Sequence, residues 1–199
     1  MVVTDAALLK GRDPVDACRQ AVAGGATMIQ LRIKDAPAAE IVRLARALVA
    51  VLPVPVLVND RVDIALAGGA AGAHLGQDDP PLDVLRPHVP PGFLLGLSIG
   101  STDEAARARH WPADYWSVGP CFATGTKPDA GTPLGPAGFA ALAALAPAGV
   151  PVIGIGGITV DTAPSLVRAG AAGLAVIAAV LGAPDAARAA AALRALYPA

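Results

Sequence analysis

Apolar and polar positions follow two rhythms along the chain. Short runs of aliphatic and β-branched residues are each followed by a longer segment with apolar residues at three- and four-residue spacing. The short runs predict strands over 1–4, 27–32, 54–58, 72–75, 94–97, 115–118, 150–153 and 174–177. The longer segments predict helices over 14–23, 38–51, 62–67, 82–89, 102–109, 137–145, 161–168 and 185–196. Local signals support several of these. Asp13 is placed to cap the first helix, with Pro14 at its first position. Ile41, Leu44, Ala45 and Leu48 line one face of the second helix. Glu104 sits in the first turn of its helix, where it offsets the dipole.

The strands are nearly all apolar rather than alternating, as expected where both faces of a parallel sheet are covered. Strand and helix alternate eight times, at about 25 residues per pair. The predicted fold is a compact, single-domain (β/α)8 TIM barrel over 1–199, small for its class. The rival, an open doubly wound sheet, usually has fewer units. Its dinucleotide fingerprint is absent: Gly154-Ile155-Gly156-Gly157-Ile158-Thr159 lacks the third glycine, and no phosphate-binding G-x-x-x-x-G-K-[ST] loop exists.

Composition narrows the partners. Fifteen basic and sixteen acidic residues give a net charge of −1, so no polyanion-binding surface is implied and nucleic acid is excluded as a partner. Mean hydropathy is high, at +0.55, and the stretch between Asp129 and Asp161 is long enough to span a bilayer. Pro133, Pro136, Pro147 and Pro151, with Gly149, Gly154, Gly156 and Gly157, would break any helix through it. Alanine drives the hydropathy, and no signal-peptide run opens the chain. The expectation is a cytoplasmic protein with no membrane partner. Cys18 and Cys121 are too few for a disulfide framework and too distant for a metal pair, which fits a reducing compartment. The alanine-rich outer helices suit either solvent or a second copy of the chain.

Candidate chemistry gathers at the carboxyl ends of the strands, where barrel enzymes build their sites. Gln30, Arg32 and Lys34 follow the second strand, and Asn59, Asp60 and Arg61 the third. Gly76, Gln77, Asp78 and Asp79 follow the fourth, and Ser98 the fifth. Thr124, Thr126 and Lys127 follow the sixth, Gly156 and Gly157 the seventh, and Ala178 opens a helix after the eighth. Each group has a plain structural explanation: Arg32 and Lys34 as solvated charges, Asn59-Asp60 and Gly76–Asp79 as polar turns, Gly156-Gly157 as a close-packing device, and His74 as a core histidine. Six strand ends carrying cations, carboxylates or backbone cradles are harder to explain singly. Lysine usage points the same way: among twelve arginines stand only Lys10, Lys34 and Lys127, two of them in this set.

Arg32 and Lys34 facing the carboxylates of Asp60 and Asp79 are what a Mg²⁺-diphosphate complex requires. Thr124, Thr126, Gly156, Gly157 and the helix start at Ala178 suit a second, uncharged phosphate cradle. Two phosphate sites on one barrel mouth suggest a reaction joining two phosphorylated substrates.

At these residues the sequence resembles the thiamine-phosphate synthase family. The resemblance runs through Val3-Thr4-Asp5, Gly24-Gly25-Ala26-Thr27, Gln30-Leu31-Arg32-Ile33-Lys34, Asn59-Asp60-Arg61-Val62-Asp63 and His74-Leu75-Gly76-Gln77-Asp78-Asp79. It continues through Gly96-Leu97-Ser98, Gly119-Pro120, Thr124-Gly125-Thr126-Lys127 and Ile155-Gly156-Gly157-Ile158. It implies a (β/α)8 barrel joining hydroxymethylpyrimidine diphosphate to a thiazole phosphate with release of diphosphate. It further implies pyrimidine and diphosphate binding by Gln30, Arg32, Lys34, Asn59, Ser98 and Lys127, with Arg32, Lys34, Ser98 and Lys127 serving the chemistry. Mg²⁺ would sit on Asp60 and Asp79, and the thiazole phosphate on Thr124, Thr126, Gly157, Ile177 and Ala178.

Three positions depart from the family pattern. Ile33 replaces a usual glutamate and is expected to face away from the ligands. Ala178 replaces a serine that would add a hydroxyl to the phosphate cradle. Gly100 stands where the family usually has histidine, the acid/base of related thiazole tautomerases. That absence, with the second-carboxylate motif intact, favours a synthase over a tautomerase. A non-catalytic barrel that carries a thiazole phosphate would not need the carboxylate pair.

Overall fold

The structure, a computed structural model, describes residues 1–9, 11–126 and 131–197. Among them eight strands run parallel in the order β1 to β8, and helices separate them, the topology of a (β/α)8 barrel. The strands are β1 (Val2–Val3), β2 (Ile29–Leu31), β3 (Val56–Asn59), β4 (Gly72–Leu75), β5 (Leu94–Ile99), β6 (Tyr115–Val118), β7 (Val152–Ile155) and β8 (Gly173–Ala175). The helices are α1 (Ala6–Leu9), α2 (Pro14–Ala23), α3 (Ala38–Val51), α4 (Val62–Gly68), α5 (Leu82–Leu85), α6 (Thr102–Ala108), α7 (Gly135–Ala143), α8 (Ala163–Arg168), α9 (Ala178–Leu181) and α10 (Ala186–Arg194). No described helix is long and apolar enough to cross a membrane.

Backbone contacts divide the chain into two units, residues 1–74 with 176–199, and residues 75–175. In the first unit the register Val3↔Gln30, Gln30↔Leu57 and Leu57↔Gly72 aligns these residues on one face of the sheet. Ile29, Leu31, Val56 and Val58 take the other face by the alternation of the strand. Val176 bridges to Val2, tying the chain after β8 to β1. Outside lie α2, with Ala17, Cys18 and Ala21 buried, and α3, with Ile41, Leu44, Ala45 and Leu48 buried as the periodicity predicts. Asp13 accepts a hydrogen bond from the Asp16 amide at the start of α2. The far end of α2 meets α10 so closely that a Cβ on Gly24 would lie 2.1 Å from the Ala187 carbonyl oxygen.

In the second unit, β5 to β8 pair in succession. Gly96 leaves room for the Tyr115 ring, since a Cβ there would lie 2.1 Å from its Cζ. Trp116 and Val118 point the opposite way along β6, and Trp116 is fully buried with Phe139 and Leu166. Gly154 lets Leu166, Cys121 and Phe139 pack against β7.

Several element boundaries differ from those expected, two of them at prolines. The helix expected over 82–89 stops at Leu85 and tightens into a 3₁₀ turn over Arg86–His88, where Pro87 has no amide to donate. The strand expected over 150–153 is Val152–Ile155, beginning past Pro151, whose carbonyl instead accepts from the Trp116 amide. The strand expected over 94–97 extends to Ile99. The pattern did not predict α1, a single turn whose amides at Ala7 and Leu8 are capped by the Asp5 carboxylate.

Candidate active site

The first unit supplies Gln30, Arg32, Lys34, Asn59, Asp60, Ile177 and Ala178. Gln30 lies inside β2 rather than beyond it, and is 2% exposed. Its Nε2 is buried with no hydrogen-bond partner, an arrangement that costs free energy unless a ligand completes it. Arg32 follows β2 and its guanidinium donates to Asp5 Oδ2 at 3.2 Å. Its backbone is pinned as well: the Arg32 amide donates to Thr4 Oγ1 at 2.8 Å, and that hydroxyl donates back to the Arg32 carbonyl at 3.0 Å. Lys34 is exposed in the loop that follows, and Ile33 is half-buried.

Asn59 is the last residue of β3 and aligns with His74 on β4. Asp60, exposed, takes the left-handed conformation at φ 62°, with its amide donating to the His74 carbonyl at 2.8 Å. Aspartate tolerates this region better than most residues, and departures of this kind collect at functional sites. His74 is buried, and desolvation lowers its pKa to about 4, so the imidazole is neutral at physiological pH. That matches its reading as a core histidine. Ile177 is half-buried, and Ala178 is exposed at the first position of α9.

The second unit supplies Asp79, Ser98, Thr124, Thr126 and Gly157. Asp79 folds back so that its Oδ2 accepts from the Gly76 amide at 2.7 Å. Gln77 braces the neighbouring strand, its Nε2 donating to the Ser98 carbonyl at 2.7 Å. Ser98 lies within β5, in register with Ser117 on β6. At Gly100 the amide donates to Glu104 Oε2 at 2.6 Å, and a Cβ would meet the Gly119 carbonyl oxygen at 3.2 Å.

After β6 the chain folds back along the end of β7: the Cys121 amide donates to the Ile155 carbonyl, and the Phe122 amide to the Gly156 carbonyl. This approach demands glycine. Gly157 has φ 63°, and a Cβ on it would lie 2.4 Å from the Ala123 carbonyl oxygen. Close packing therefore accounts for Gly156-Gly157, and it also fixes the loop that carries Thr124 and Thr126. The Thr126 amide donates to Thr124 Oγ1 at 3.3 Å. Lys127, assigned to the site from the sequence, lies outside the described residues.

Each of Asp60, in the first unit, and Asp79, in the second, offers hard carboxylate oxygens of the kind Mg²⁺ takes. Among the described residues no group of three or more His, Cys, Asp or Glu side chains forms a metal cluster. Cys121 is no candidate nucleophile: burial pushes its thiol up to about 11, so it stays protonated. Sequence reasoning gave no role to Thr4 or Asp5, although both stand in a quoted motif, because their partner Arg32 is 27 or more positions away.

A family model described as thiamine monophosphate synthase matches residues 1–180. The thiamine-phosphate synthase of Solidesulfovibrio magneticus is 53% identical over 138 residues, covering 67% of this chain and 65% of that protein. That of Moorella thermoacetica is 50% identical over 137 residues, with the same coverage of 67% and 65%. The match therefore spans just under two thirds of the length of these relatives. The solved thiamine phosphate pyrophosphorylase from Pyrococcus furiosus superposes with a TM-score of 0.85 at 36% identity, over 98% of this chain and 93% of that one. The chain belongs to the thiamine monophosphate synthase family.

Proposed function

We propose that this protein joins hydroxymethylpyrimidine diphosphate to a thiazole phosphate, releasing diphosphate and forming thiamine phosphate. Supporting this reading are the family membership, the relatives' names and the presence in this chain of the motif residues on which the chemistry depends. The observation that carries it furthest is Gln30, whose buried amide nitrogen lacks a partner beside the anchored Arg32. A ring with hydrogen-bond acceptors would satisfy the amide, and a diphosphate would meet the guanidinium. Arg32, Lys34 and Lys127 bind the diphosphate, Gln30, Asn59 and Ser98 orient the pyrimidine, and Asp60 and Asp79 hold Mg²⁺. The ion neutralises charge on the leaving diphosphate when bound. Thr124, Thr126, Gly157, Ile177 and Ala178 hold the thiazole phosphate. The substrates are small soluble molecules, and the protein acts on them in the cytoplasm as a single catalytic domain.

The tautomerase alternative is disfavoured by Gly100, which offers no proton-transfer group. The test is a coupled diphosphate-release assay with both substrates. Release should require both of them and Mg²⁺, and Asp60→Asn or Asp79→Asn should cut turnover at least a hundredfold by rough estimate, with the melting temperature unchanged. Near-normal turnover of Asp79→Asn at sub-millimolar Mg²⁺ would remove that residue from the metal site. No diphosphate release under any condition would remove the synthase reading.

A further inference from the structure

We propose that Asp5 is a positioning residue that holds the Arg32 guanidinium ready for the diphosphate before substrate arrives; this rests on the assignment of Arg32 to that group. The carboxylate divides its two oxygens between two tasks. Oδ1 accepts from the amides of Ala7 and Leu8 at 3.1 and 3.3 Å, and Oδ2 accepts from Arg32 Nη1 at 3.2 Å. Backbone amides cannot follow a moving side chain, so Asp5 is a fixed post, not a companion that drifts with the arginine. The pair is largely shielded, with side-chain exposures of 13% for Arg32 and 16% for Asp5.

The post is anchored at its other end too. Arg12 donates to the carbonyls of Leu8 and Leu9 at the end of α1, and to the carbonyl of Leu181 at the end of α9. The turn α1 is thus fixed at both ends, and the Thr4 hydroxyl ties the Arg32 backbone to the same strand end. Among the described residues Asp5 is the partner the guanidinium has, and it occupies one N–H of the fork. The other donors of the planar group then keep a set direction. An arginine held this way loses little rotamer freedom when an anion binds, and that saving appears as affinity.

A simple counter-charge would act in the opposite direction. A carboxylate beside a cationic site repels an anion, and its removal would tighten diphosphate binding. The two accounts therefore differ in sign.

The experiment uses the whole 199-residue chain. Titration calorimetry with inorganic diphosphate and Mg²⁺, steady-state KM for each substrate, and thermal melts are compared for wild type, Asp5→Ala, Asp5→Asn, Arg32→Ala and the Asp5→Ala/Arg32→Ala double variant. Asp5→Ala should weaken diphosphate binding and raise the pyrimidine-substrate KM by about tenfold, as expected for loss of a charge-assisted hydrogen bond. The thiazole-phosphate KM should stay within about twofold, because that substrate does not meet Arg32. In the Arg32→Ala background Asp5→Ala should add nothing. Asp5→Asn keeps an oxygen for the turn and should fall between, and it carries the test if the alanine variant does not fold. Equal or tighter diphosphate binding in both Asp5 variants overturns the proposal, as does an effect that persists without Arg32 or raises both KM values alike. If Arg32→Ala itself binds diphosphate like wild type, the underlying assignment of Arg32 fails instead.

Discussion

His74 shows how one buried side chain can set the response of the whole fold to acid. Its pKa is lowered from the ordinary 6.5 to about 4 by desolvation, so the folded protein refuses a proton that the unfolded chain accepts. Between those two values the unfolded state binds more protons, and stability falls as the pH falls; above 6.5 and below 4 this residue contributes no slope. Denaturant titrations at pH 7 and pH 5 should show a loss on the order of 1 kcal/mol in wild type that shrinks in His74→Gln. An equal pH response in both proteins would mean that the histidine is solvated in solution. The sequence placed His74 in a strand and named its plain structural role, which the burial supports. It also named Gln30 and Arg32, but it could not give the unpartnered amide of the one or the Asp5 anchor of the other. Those depend on which strand ends lie side by side, and local pattern does not carry that information.

Elements were more legible than residues. The helices α2 and α3 have the bounds that periodicity and capping predict, because Asp13, Pro14 and the apolar stripe of α3 all act locally. Two of the misplaced boundaries follow from prolines whose effect depends on the hydrogen-bond ladder around them, at Pro87 and Pro151. The turn α1 was missed because four residues cannot show a helical period. The loop after β6 belongs at this scale as well, since its place is set by the glycines at the end of β7. Replacing Gly157 by alanine would drive a Cβ to 2.4 Å from the Ala123 carbonyl oxygen in a backbone conformation that disfavours any side chain. Stability should drop by about 2 kcal/mol or more, and the thiazole-phosphate KM should rise as Thr124 and Thr126 shift. Gly125, in the same loop, has no atom within 4 Å of its Cβ position, so Gly125→Ala should leave the urea midpoint unchanged. Matching midpoints for the two variants would show that the loop yields easily and that the glycines serve the ligand alone.

At the scale of the whole molecule, the eightfold alternation of strand and helix made the fold legible, while the division of labour among the polar strand ends had to be inferred from chemistry. The proposed site contains cations, neutral hydrogen-bonding groups and carboxylates, and no activated nucleophile among the described residues. The Cys121 thiol is held protonated by burial, and the neutral His74 is buried. On the proposed function, the protein's contribution would be electrostatic and positional. Arg32, Lys34 and Lys127 would stabilise the departing diphosphate, and Gln30, Asn59 and Ser98 would hold the pyrimidine as its methylene carbon loses the leaving group. The amino group on the ring feeds electrons to that carbon, so a cation can form and the thiazole nitrogen can capture it. No general base is needed, since that nitrogen has no proton to lose. A strongly electron-withdrawing substituent on the pyrimidine should then slow turnover by roughly a thousandfold or more, about 4 kcal/mol in the barrel's transition state, while affinity for diphosphate stays nearly intact. Gly100→His should change this rate little, because no step asks for a proton there. A substituent effect of about tenfold or less would point to concerted displacement or to rate-limiting product release, and the cationic path would have to be abandoned.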